Sequence, residues 1–221
     1  MATMVEATTR GQTTATAATP APWYRDKRRL IGGVVLALLL LGVVGWVVWS
    51  SERRKEAFAA RSLNQARAAA EAGNLPLASS ELQRLIDTYR GTDAATEAVI
   101  TLNQVRMVNG QSELAAVGLR EFIDRDPPKK YLAPAYSLLG TALENSKRPA
   151  EAAEAFRKAS SSADLEYLKA RYLIDAGRAF RAAGKNTEAQ AAYRAVLDSF
   201  PKSFAVTEAK VRLAELTDGK M

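Results

Sequence analysis

The chain has 221 residues with 31 Lys/Arg, 24 Asp/Glu, and neither cysteine nor histidine, which excludes disulfides, thiolate nucleophiles, imidazole haem ligation and histidine acid/base catalysis. The net charge of +7 divides into +3 before a long apolar run, where five Lys/Arg face two Asp/Glu, and +4 after it, where the counts are 26 and 22. A surplus this mild and evenly mixed argues against nucleic-acid binding.

Residues 1–22 are rich in threonine and alanine, carry few large apolar groups, and read as a disordered tail. Residues 23–50 read as a transmembrane anchor. Leu30 to Trp49 is a run of 20 residues without a charge, and at about 1.5 Å per residue it spans roughly the 30 Å hydrocarbon core. Trp23 and Tyr24 at one end, and Trp46 and Trp49 at the other, suit the two interfaces. A cleaved signal peptide fits less well, because its apolar run is about 7–15 residues long and no small-x-small site follows before Glu52.

Arg25, Lys27, Arg28 and Arg29 flank the run on one side; Arg53, Arg54, Lys55 and Arg61, mixed with Glu52 and Glu56, flank it on the other. The positive-inside count is nearly tied. The triplet Lys27, Arg28, Arg29 abuts the membrane directly and favours a cytoplasmic N-terminus with the remainder exported across a bacterial-type inner membrane. The membrane-proximal charges would meet anionic headgroups. No Gly or Pro interrupts Ser50 to Glu71, so the membrane helix is expected to continue into the first helix of the following domain as a stalk.

Residues 51–221 form one all-helical domain on this reading, and an internal repeat organises it. Ala78, Ala115, Ala152 and Ala189 stand 37 residues apart without drift. Four residues after each comes Leu82, Leu119, Phe156 or Tyr193, and three further on Leu85, Phe122, Ala159 or Val196. These positions share one helical face. Five residues before each alanine lies Gly73, Gly110, Lys147 or Gly184, where a helix ends in the left-handed conformation that glycine tolerates and lysine does not favour. A two-helix period of this length means a solenoid whose units bury their apolar faces only by stacking.

In the last two units the chain resembles the tetratricopeptide repeat (TPR). Tyr136 or Leu173 is followed four later by Gly140 or Gly177, then by Leu143 or Phe180, with the alanine and the aromatic at the family's spacing. Pro201 and Pro127 take the closing-proline place, which Asp164 occupies in the third unit. The small residues would let the paired helices approach closely. The period departs from the family's roughly 34 residues, and the added residues are expected to lengthen the loop before each first helix. In the second unit Asn103 and Arg106 replace the small and apolar residues, and in the first Ser62 and Ala69 offer little bulk. A further first helix, Thr207 to Leu216, reads as a terminal cap. The expected fold is therefore all-α, a TPR-like helical-hairpin solenoid of about four 37-residue units plus a C-terminal capping helix, on one transmembrane helix.

The resemblance implies a binding surface rather than an active site. First helices of a TPR line a concave face, which places Arg67, Gln104, Thr141 and Arg178 on it, one per unit, with Met107, Glu144 and Arg181 a turn away. Arg171, Arg178 and Arg181 share one helical face; they form either a clamp for a carboxylate or acidic segment, or a solvated basic face. The lysine–asparagine carboxylate clamp that binds chaperone tails is absent. Gly177 to Lys185 is no phosphate loop, since six residues rather than four separate its glycines. No catalytic residue, metal ligand, cofactor or small-molecule substrate is expected; the partners are proteins and the lipid bilayer. The layout of short tail, one membrane helix and TPR domain resembles the ancillary subunit of the bacterial Sec translocon, which implies an adaptor on the exported side. The alternative is a structural accessory subunit of a larger respiratory or photosynthetic membrane complex.

Overall fold

The computed structural model describes residues 27–217, with side chains from Ile31 onward. The expected disordered tail, Trp23, Tyr24, and the side chains of Arg25, Lys27, Arg28 and Arg29 lie outside the described residues. Two compact units divide the chain, residues 1–51 and 52–221. All regular elements among the described residues are helical, apart from a single 3₁₀ turn.

Helix α1 runs Lys27–Glu71. In the first unit its side chains from Ile31 to Trp49 are exposed on every side, with Leu38, Leu41 and Val48 each more than half exposed. By length and composition α1 is long and apolar enough to cross a membrane.

The second unit repeats a helical hairpin. Its second helices, α2 (Leu75–Thr88), α4 (Ser112–Asp124), α6 (Pro149–Ser162) and α8 (Asn186–Ser199), start 37 residues apart. The four periodic alanines each sit at the fourth position of these helices and are fully buried. Their first-helix partners are the C-terminal part of α1, α3 (Asp93–Val108), α5 (Leu132–Asn145) and α7 (Glu166–Ala182), and α9 (Ala205–Leu216) follows. The turn within each hairpin is left-handed as the spacing predicts: φ is +78° at Gly73, and +74° at Gly110 and Gly184. Lys147 adopts the same conformation, at φ 58°.

Before α3, α7 and α9 the extra residues of the period do not lengthen a loop, as the sequence suggests, but continue as helix. Connections into α3, α7 and α9 run only four, three and five residues, and a 3₁₀ turn over Lys129–Tyr131 precedes α5. The physical reason lies in what the added turn touches. The Glu56 carboxylate accepts the free N–H groups of Asp93 and Ala94 at 2.8 and 3.0 Å, at the positive end of α3. One period later Lys130 pairs with Asp93 at 2.6 Å, and the Tyr131 hydroxyl donates to the Asp93 carbonyl at 3.3 Å. Each of these contacts ties the start of a first helix to the unit before it.

Two apolar clusters fill the domain. Ala59, Leu63 and Ala66 of α1 pack with Ala78, Leu82 and Leu85 of α2 and with α3 from Ala94 to Val105, so the first unit is a packed hairpin despite its poor match. Leu63 supplies the bulk that Ser62 and Ala69 lack. The larger cluster runs from Ile100 through Phe156 and Tyr193 to Leu213. Helix α9 closes it with Ala205, Ala209 and Leu213. Where earlier first helices carry Val99, Tyr136 and Leu173, α9 carries exposed Lys210, the polar outer face that ends a solenoid.

Helix pairing inside the units uses two arrangements. A Cβ built on Gly140 would lie 2.7–2.8 Å from three ring atoms of Phe156, and one on Gly177 would lie 2.5–2.9 Å from the ring of Tyr193. No side chain fits there. In the second unit the roles reverse: Asn103, on the first helix, is fully buried and projects at Gly118 on the second, whose built Cβ would meet Asn103 Oδ1 at 2.7 Å. Asn103 Nδ2 donates to the Val99 carbonyl at 2.9 Å, and its Oδ1 accepts from Arg106 at 3.1 Å. These bonds satisfy the polar residues that interrupt the repeat pattern.

Candidate partner-binding face

The exposed face of the first helices is a ladder of ion pairs, built by the 37-residue register. One repeat position carries Met107, Glu144 and Arg181; the facing position one unit later carries Thr141, Arg178 and Glu215. The rungs join neighbouring helices. Arg178 meets Glu144 at 3.1 Å, and Arg181 meets Glu215 at 2.5 Å. The charge order inverts from one rung to the next, acid before base and then base before acid, and the Met107/Thr141 rung is uncharged. Nearer the N-terminus, Arg67 of α1 pairs with Glu97 of α3 at 2.6 Å.

Arg171, Arg178 and Arg181 are therefore not a bare cationic stripe. Arg171 contacts Asp175 at 3.5 Å, and Arg178 contacts both Asp175 at 3.3 Å and Glu144. Asp175 itself is buried; burial pushes its carboxyl up, against the pull of Arg178 and Arg171. Arg212 extends the network, with contacts to Glu208 at 3.7 Å and Glu215 at 3.5 Å. Exposed pairs of this kind contribute about 0–1 kcal/mol each to stability, so a partner's charges can exchange with them at little cost.

The remaining candidates fall on the same set of helices with different environments. Gln104 is exposed, Thr141 is half-buried and donates to the Ser137 carbonyl at 3.2 Å, and Met107 packs partly against the larger core cluster. A separate cleft of about 400 Å³, lined by Arg120, Tyr136, Glu154, Lys158 and Lys185 among others, contains none of the eight candidates. Two features of the face escape reasoning from single positions: the buried Asp175 beneath the arginines, and Glu215 on the cap. The signal for Glu215 is present in the register, since it occupies the place of Arg178 one period on with the opposite charge.

A family model described as "Tetratricopeptide repeat-like domain" matches residues 22–217. The chain is similar in fold to solved structures that share little sequence with it. A structure of MamA has 20% identity and a TM-score of 0.55, over 70% of this chain and 84% of that one. A set of nearly identical TPR-like repeats from Podosopora anserina has 16% identity and a TM-score of 0.58, over 72% and 85%. A tetratricopeptide repeat protein from Parabacteroides merdae ATCC 43184 has 10% identity and a TM-score of 0.58, over 72% and 60%. At these identities the likeness is one of fold. No curated protein matches the sequence significantly. A solenoid of this kind is a scaffold for protein–protein interaction, and with its 37-residue hairpins, buried small–large helix contacts and a match spanning nearly the whole chain, the protein belongs to the tetratricopeptide repeat-like domain family.

Proposed function

We propose that the protein is a membrane-anchored TPR adaptor, held by the apolar part of α1, with its repeat domain on the exported side of the membrane, where it binds exported clients or chaperones beside the export machinery. The observation that carries this reading is the extent of the family match. It begins at residue 22, so the apolar segment lies inside the matched region together with the repeats. The composition of that segment, 20 residues without a charge, supports a membrane span. The domains follow as 1–22 tail, 23–50 anchor and 51–221 repeat domain. Partners would dock on the first-helix face through Arg67, Gln104, Met107, Thr141, Glu144, Arg171, Arg178 and Arg181, exchanging ion pairs with the ladder.

Two measurements test the proposal together. A reporter active only in the exported compartment, fused after Met221, gives activity; activity only from a fusion before Met1 overturns the orientation. Pull-down from detergent extracts with mass spectrometry recovers several exported clients or chaperones at low occupancy. Recovery of one stoichiometric respiratory or photosynthetic complex assigns the chain as its structural subunit instead.

A further inference from the structure

The third unit carries an open cleft that the ladder does not use. Its wall is α6 from Ala150 to Lys158, joined by Arg120 of α4 and by Lys185 just before α8, and Tyr136, Leu139 and Leu143 of α5 form an apolar floor beneath about 400 Å³. One period earlier the equivalent groove has Val99, Arg106 and Glu121 in the places of Tyr136, Leu143 and Lys158, and measures only about 170 Å³. There the Arg106 guanidinium reaches to Gly118 of the second helix, 3.0 Å from a built Cβ, and fills the groove from within. Leu143 is too short to do the same. The third unit therefore keeps the groove open and exchanges its acid for a base.

The charges of the cleft are uneven. Both acids of its wall are engaged: Glu151 accepts from Arg148 and from Arg120 at 2.7 Å, and Glu154 accepts from Arg157 at 2.7 Å. Glu154 stands one turn before Lys158 but is turned to Arg157, and the Lys158 ammonium lies over the Tyr136 ring, 5.6 Å from its centroid. Lys185 brings a second ammonium to the rim. Two ammonium groups at the edge of an apolar floor, with the local carboxylates held by arginines, complement an anion that also carries apolar side chains. Ala150 to Lys158 covers about 12 Å of helix axis, the span of about four residues of extended chain.

We propose that this cleft binds a short segment of a partner protein in which two acidic side chains flank apolar ones. The carboxylates meet Lys158 and Lys185, and the apolar side chains cover Tyr136 and Leu139. The site is separate from the ladder of ion pairs and stands independently of the docking proposed there.

The test uses the full-length chain in detergent and three labelled octapeptides with blocked ends, followed by fluorescence anisotropy. Their central residues are Glu-Leu-Leu-Glu, Gln-Leu-Leu-Gln or Glu-Ala-Ala-Glu, set between serines. The first binds at least about tenfold more tightly than either of the others, and its affinity falls with added salt. Lys158→Glu combined with Lys185→Glu removes that preference, while the melting temperature stays within about 2 °C because both side chains are exposed. Lys158→Gln combined with Lys185→Gln, which removes the charges without reversing them and serves should the first pair unfold the chain, weakens the first peptide about fivefold. Equal binding of the first peptide and either control overturns the proposal, as does unchanged affinity in a folded lysine double variant. Failure of the wild type to bind any of the three overturns it as well. Recovery of clients by pull-down then still upholds the adaptor reading, so the two failures are distinguishable.

Discussion

The hairpins α3–α4 and α5–α6 stand one period apart and perform the same task, the close approach of two helices, with opposite hardware. In α5–α6 the first helix supplies the absence of a side chain, at Gly140, and the second supplies the filler, Phe156. In α3–α4 the second helix supplies the absence, at Gly118, and the first supplies the filler, Asn103. What the solenoid fixes is the separation between helices, and a small–large pair in either order meets it. The order matters for chemistry. An aromatic filler is satisfied by contact alone, whereas an amide filler brings donors and acceptors that Val99 and Arg106 must satisfy.

The largest effect is expected where the filler cannot yield. Gly140→Ala places a methyl group within 2.8 Å of a ring that is only 2% exposed. The helix interior gains about 1 kcal/mol in propensity from Gly to Ala, but overpacking a core costs about 1–3 kcal/mol. Because the ring is buried and cannot give way, overpacking outweighs the gain, and thermal denaturation should show a net loss of up to about 2 kcal/mol, a melting temperature lower by about 2–4 °C for each kcal/mol. The first unit already holds the compensated pair, Ala66 with Leu82. In a Phe156→Leu background, Gly140→Ala should therefore be neutral or stabilising, a coupling that a double-mutant cycle measures directly. Additive losses would mean that the ring does not set the helix separation.

A smaller effect is expected in the neighbouring hairpin. Asn103→Ala removes the buried amide together with the bond it gives Val99 and the one it takes from Arg106, at a cost of about 1 kcal/mol. Gly118→Ala meets the Asn103 oxygen in the wild type at 2.7 Å and should lower stability. Combined with Asn103→Ala the same substitution fills the vacated space and should raise it. Urea unfolding of the four proteins reads the change of sign. If Gly118→Ala costs the same in both backgrounds, the reversed arrangement is not what holds α3 to α4.

The part of the fold governed by a single strict period is legible in the sequence. The four alanines, the residues four and seven after them, and the turn positions all fall where the 37-residue register puts them, because burial and backbone conformation act on each position separately. Asn103 and Arg106 read as damage to the pattern, since their compensation sits at Gly118, fifteen residues beyond Asn103 and invisible to position-by-position comparison. The chain before α3 and α5 meets the preceding unit through Glu56, Asp93 and Lys130, contacts spaced by a whole period that no local pattern announces. On the candidate face the arginines are visible as spacing. Their pairing is not, because each rung joins two helices and one of its acids, Glu215, lies on the cap.

The smallest expected effect separates the hairpins at their turns. The turn after α3 carries Gly110, with φ +74°, and the turn after α5 carries Lys147, with φ 58°. The left-handed region costs a residue with a Cβ roughly 1–2 kcal/mol, while glycine occupies it without that penalty but loses more conformational entropy on folding, up to about 1 kcal/mol. The balance favours glycine. Lys147 is exposed and forms no ion pair among the described residues, so its side chain takes no stabilising contact with it when replaced. Its backbone N–H already donates to the Glu144 carbonyl at 2.9 Å, and that bond survives substitution. Lys147→Gly should raise stability by about 0.5–1 kcal/mol, and Gly110→Lys, the converse change one period earlier, should lower it by a similar amount. Differential scanning calorimetry of the two variants sets the scale. If Lys147→Gly lowers the melting temperature, the entropy of the unfolded chain outweighs left-handed strain at this turn, and the two hairpins differ only in how their helices meet.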